Sequence, residues 1–142
     1  MSSTSAPPVR VTRPFAATRE RVFDAWLEPD LVGRWLFAGP ESGAAIVQID
    51  PRPGGRFSIL ERAGGEDVDH VGEYEAIERP GRLVFTLEVP RHFAGVATVA
   101  IDIAGVEGGC ELTLIQTGAA ADGTEPGWRR MLDALARVVE GG

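Results

Sequence analysis

Between Ala44 and Thr117 apolar side chains recur at every second position, and clusters of Gly and Pro interrupt them about every ten residues. A period of two is that of a pleated strand, and punctuation this regular leaves room for hairpin turns but not for crossover helices. The stretch therefore folds as an antiparallel meander. Six strands are expected at 44–50, 56–62, 68–77, 83–89, 96–103 and 110–117, with turns at 51–55, 63–67, 79–81 and 105–109. Gly54 and Gly55 after Pro53 allow the first of these turns to be tight.

Helical spacing flanks the meander on both sides. Residues 9–13 alternate as a first strand; then Thr18 is placed to cap a helix with Val22, Phe23, Trp26 and Leu27 on one face. Pro29 ends that helix or opens the next, in which Leu31, Val32, Trp35 and Leu36 repeat the pattern. After Gly123, Pro126 suits a first helical turn, and Trp128, Met131, Leu132, Leu135, Val138 and Val139 line one face of a long C-terminal helix. Seven antiparallel strands need a cover for their apolar face, and only this last helix is long enough to provide it. The expected class is α+β, and the gap between a curved sheet and that helix is the expected site.

The side chains available narrow the chemistry. All 14 basic residues are Arg, and there is neither Lys nor Asn, which removes a Walker-type lysine, a Schiff-base lysine and an N-glycosylation acceptor. A net charge of -7, with ten acids against five arginines between Glu41 and Glu88, repels nucleic acid and anionic lipid. His70, His92 and Cys110 fall on different strands or their ends, so no metal site is expected. Ser42 is not in a nucleophile elbow, and Glu111 beside Cys110 disfavours its thiolate, so no catalytic residue and no cofactor is assigned. With 142 residues, one domain over 9–142 is expected, preceded by a disordered tail over 1–8 that lacks the features of a secretory signal. Together with the free cysteine this points to the cytoplasm, and no apolar run reaches the roughly 20 residues of a membrane span.

Strand parity sorts the meander further. Phe57 and Ile59 share a face, with Glu61 following in alternation; Leu83, Phe85 and Leu87 share another, as do Cys110, Leu112, Leu114 and Gln116. Glu61, Tyr74, Glu88, His92 or Gln116 could polarise a ligand if turned inward; each is otherwise a solvated strand-end group or a core side chain.

The run Phe15-Ala16-Ala17-Thr18-Arg19-Glu20-Arg21-Val22-Phe23-Asp24-Ala25-Trp26 is followed by Arg34-Trp35, Arg52-Pro53-Gly54-Gly55-Arg56-Phe57 and Gly72-Glu73-Tyr74. Then come Arg82-Leu83-Val84-Phe85-Thr86, Leu112-Thr113-Leu114 with Thr117-Gly118, and Gly127-Trp128. In order and spacing these pieces resemble the START-like, helix-grip (SRPBCC) superfamily, and within it the bacterial single-domain relatives of the activator of heat shock protein 90 ATPase. The resemblance implies a curved seven-stranded sheet wrapped round the C-terminal helix, with two short helices after the first strand. It also implies a hydrophobic cavity whose lining here would be Trp35, Phe57, Ile59, Tyr74, Phe85, Leu87, Gln116, Trp128, Met131, Leu132 and Leu135. Such a cavity would exceed about 300 Å³ and hold a small apolar or aromatic ligand. Two further roles follow from the resemblance: a polyketide cyclase or dehydratase using pocket acids, and a chaperone-activating stress protein, the latter without the partner-binding N-terminal domain. An exposed edge strand could pair two chains into a homodimer.

Overall fold

The computed structural model describes residues 8–37, 44–63, 66–90, 94–119 and 123–140. In chain order they form β1 (Val9–Phe15), α1 (Arg19–Asp24), α2 (Pro29–Trp35), β2 (Ala44–Ile49), β3 (Arg56–Ala63), β4 (Glu66–Glu78), β5 (Arg82–Leu87), β6 (Ala97–Val106), β7 (Gly109–Thr117) and α3 (Thr124–Glu140). The strands make one antiparallel sheet in the order β1-β7-β6-β5-β4-β3-β2, with β1 and β2 as its edges. Pro14 is accommodated within β1 because that strand is an edge.

The alternation seen in the sequence is the alternation of burial. Phe57 and Ile59, then Leu83, Phe85 and Leu87, then Val99, Ile101 and Ile103, then Cys110, Leu112, Leu114 and Gln116 all turn to the same covered face. Trp128, Leu132, Leu135 and Val139 of α3 are buried against the same core. The helix is held at its far end by polar ties: Arg21 Nε donates to the Val139 carbonyl at 2.6 Å, and Glu140 accepts from the Ala16 amide at 2.8 Å. Arg13 adds an ion pair to Asp133 at 3.0 Å.

Three elements differ from the sequence expectation. At the turn expected over 63–67, β3 runs to Ala63 and β4 begins at Glu66, so that Arg62 pairs with Asp67. The stretch 105–109, rich in glycine, was expected as a loop, yet β6 runs to Val106 and β7 begins at Gly109, because two residues, Glu107 and Gly108, suffice to turn a hairpin. The first helix stops at Asp24 rather than carrying Trp26 and Leu27 on its face. Thr18 Oγ1 does cap it, accepting from the Arg21 amide at 3.1 Å, but Ala25 to Leu27 form a turn so that α2 can start at Pro29. That turn releases the Trp26 side chain into the interior.

Candidate functional site

The sheet register gathers one end of the molecule. The C-terminal ends of β3, β5 and β7, the N-terminal ends of β2, β4 and β6, and the first turns of α3 lie together. At this end Phe37, directly after α2, stacks on the imidazole of His70 from β4, with centroids 4.2 Å apart and planes at 11°. The same ring meets Trp128 edge-on at 5.6 Å, and the Phe37 amide donates to the Met131 sulfur at 3.2 Å. Phe37 holds a φ of 53°, a left-handed conformation that a bulky residue adopts only under constraint from its surroundings.

His70 and Gln116 are the buried polar side chains among the described residues, and both belong to this end. His70 Nδ1 lies 3.2 Å from the Ile59 carbonyl, which can only accept, so Nδ1 carries a proton. Nε2 then faces Glu61 Oε1 at 3.7 Å, the half-buried carboxylate that alternation placed inward on β3. Gln116 spends its amide within the protein: Oε1 accepts from Trp128 Nε1 at 2.8 Å and Nε2 donates to the Ala119 carbonyl at 2.8 Å. It braces Trp128 at the start of α3.

Behind this end lies an aromatic interior. Trp26 projects between α3 and the sheet, 6.1 Å from Trp128 and 6.3 Å from Phe85, and meets Trp35 edge-to-face at 4.5 Å. Trp35 is fixed by its own hydrogen bond, Nε1 to the Ala25 carbonyl at 2.9 Å. Phe57 crosses Phe85 at 5.4 Å and 89°.

Of the side chains expected to line a cavity, Trp35, Phe57, Ile59, Phe85, Leu87, Gln116, Trp128, Leu132 and Leu135 are buried in this one core, and Met131 is half-buried at its edge. Tyr74 is buried in the same core, 5.4 Å from Phe57 and 6.4 Å from Phe85, on the side away from His70, where its backbone pairs with Gly54 and Gly55. Burial, with Asp50 nearby, pushes its phenol well above the ordinary value. Tyr74 is the single tyrosine, so the pH-dependent change in absorbance at 295 nm, to which the three indoles add a constant background, reports its ionisation. The native protein should show no tyrosinate at pH about 10, where an exposed tyrosine is half ionised. Below that pH folded and unfolded chains both keep the proton, and above it the unfolded chain loses it first, so stability should fall as pH rises. A native titration midpoint near 10 would contradict this burial.

Trp26, Phe37 and His70 join the site without having been assigned to it from sequence. Of the ionisable groups expected to turn inward, Glu61 reaches it, Glu88 lies on the outward parity between buried Leu87 and Val89, and His92 is outside the described residues. Burial raises the Cys110 thiol above its usual range, and among the described residues no three His, Cys, Asp or Glu side chains converge as metal ligands.

The model for the family described as activator of Hsp90 ATPase homolog 1-like protein matches residues 16–140. The chain belongs to that family. Curated proteins give no match. Solved structures of similar fold include a Staphylococcus aureus protein of unknown function, 17% identical, with a TM-score of 0.85 over 96% of this chain and 94% of that one. An AHSA1-like protein from Aeromonas hydrophila is 24% identical, with a TM-score of 0.80 over 95% and 93%. A Chromobacterium violaceum protein is 28% identical, with a TM-score of 0.76 over 94% and 96%. The family match and these likenesses give the AHSA1-like chain the helix-grip fold of the START-like superfamily. No helix among the described residues is long and apolar enough to cross a membrane.

Proposed function

We propose that this AHSA1-like domain binds a small, mostly apolar or aromatic molecule between α3 and the concave face of the sheet. The observation that carries the reading is the composition of that interior. Aromatic rings from the sheet, the α1–α2 turn and α3 face one another, and the buried polar side chains His70 and Gln116 are confined to one end. Small-molecule sites have this character, an apolar wall with a few placed polar groups. Titration with N-phenyl-1-naphthylamine, a neutral apolar fluorophore, should quench indole emission in a saturable 1:1 manner. It should also show the negative heat-capacity change of apolar burial. Quenching that rises linearly without saturation would contradict the reading.

A second reading, ligand turnover of the cyclase or dehydratase type, draws on the His70 and Glu61 pair, the ionisable groups that meet inside this end. A base here would accelerate exchange of the methyl protons of 2-acetylnaphthalene in deuterated water, and His70→Gln would abolish the acceleration. Equal exchange rates with and without protein would leave binding alone. The chaperone-activating role named in the family description has no feature of the described surface in its favour.

A further inference from the structure

The protein has three indoles, and their N–H groups are treated unequally. Trp35 donates to the Ala25 carbonyl and Trp128 to Gln116, whereas Trp26 Nε1, on a side chain only 2% exposed, has no acceptor among the described residues. A buried donor left without a partner costs about 1–3 kcal/mol, and native interiors rarely tolerate one without a reason. A trapped water would need two or more further polar partners, and three aromatic rings, those of Trp35, Phe85 and Trp128, pack round Trp26.

From this we infer that the molecule held between α3 and the sheet presents a neutral lone-pair oxygen, a carbonyl or ether, to Trp26 Nε1 while its apolar body lies against the neighbouring rings. This rests on the binding role proposed above and specifies the ligand class. The oxygen is neutral because a single N–H cannot offset the desolvation of a carboxylate. A plain hydrocarbon would leave the donor unpaired, so selectivity between oxygenated and unoxygenated apolar molecules resides at this atom.

The test uses the full chain and a matched pair, 2-acetylnaphthalene and 2-ethylnaphthalene. They share the naphthyl body and a two-carbon side chain and differ by the carbonyl oxygen. The ketone should bind roughly fivefold tighter, the value of about 1 kcal/mol of hydrogen bond, although it is the less hydrophobic of the two. In the 15N-labelled protein the Trp26 indole resonance should move downfield with the ketone and not with the hydrocarbon. The Trp35 and Trp128 resonances, already committed to internal acceptors, should respond alike to both. Trp26→Phe identifies the resonance by its disappearance and should bring the affinity ratio to about one. Equal shifts of the Trp26 resonance with both molecules would overturn the inference, since the N–H would then be spent elsewhere, for instance on the Trp35 ring face. Persistence of the ketone preference in Trp26→Phe would overturn it as well. Saturable binding of the hydrocarbon without ketone preference would overturn the ligand class while sparing the binding role. Failure of both molecules to bind would overturn the two together.

Discussion

Gly72→Ala should lower the unfolding free energy by more than about 3 kcal/mol, read as a lower urea midpoint or as loss of soluble protein. A Cβ built at Gly72 lies 1.9 Å from the Thr86 carbonyl oxygen and 2.6 Å from the Phe57 ring. Neither neighbour can yield. Thr86 is backbone in β5, and Phe57 is the β3 partner of Gly72, buried against Tyr74 and Phe85. At this point β4 changes company: it pairs with β3 as far as Glu73, bridges to Glu88 through Val71, and then follows β5 with a register shift between Tyr74 and Ala76. The bend that curves the sheet round α3 is made here, and the missing side chain lets three backbones approach. Gly127→Ala in α3 is the control. Its nearest neighbour is the end of the Arg130 side chain at 3.9 Å, and the helix should gain up to about 1 kcal/mol. A Gly72→Ala protein as stable as the parent would show that the strands do not cross so closely.

Trp128→Ala should cost about 3–5 kcal/mol, the usual penalty for emptying a large aromatic site. The loss has separable parts. Trp128→Phe keeps most of the volume but leaves Gln116 Oε1 without its donor, which alone costs about 1–3 kcal/mol. The remainder in Trp128→Ala is the space left between Phe37 and Trp26. A dry apolar space of this kind accepts small aromatic molecules, so added indole should raise the thermal midpoint of Trp128→Ala in proportion to its occupancy and by more than it raises that of the parent. No rescue by indole, with equal losses in the two variants, would mean that Trp128 acts only through its hydrogen bond.

The parts of this structure legible from sequence are those governed by strand periodicity. Phe57, Ile59 and Glu61, or Leu112, Leu114 and Gln116, are assigned a face by counting in twos, and the faces are as counted. His70 obeys the same rule, sharing a face with Val68 and Tyr74, but a lone histidine on a strand carries no sequence signal that separates a site residue from a core one. What periodicity does not carry is the conformation of short connections. Trp26 continued an apparent helical stripe, and only the crowding of α1 against a second helix start at Pro29 turns it inward. Phe37 gave no signal at all, since a left-handed φ is expected of Gly or Asn, and the residue is held there by His70, Trp128 and Met131 from distant parts of the chain. The two residues that most define the aromatic interior thus come from turns, where tertiary packing rather than local preference decides.

That α3 and the sheet enclose a binding site for an apolar molecule is tested most directly by following the 15N-labelled protein through a titration with N-phenyl-1-naphthylamine. The expected result is a saturable set of shifts centred on Trp26, Phe37, His70, Gln116 and Trp128. Shifts confined to the exposed apolar residues Ile46, Val96 and Val106, or none that saturate, would contradict it.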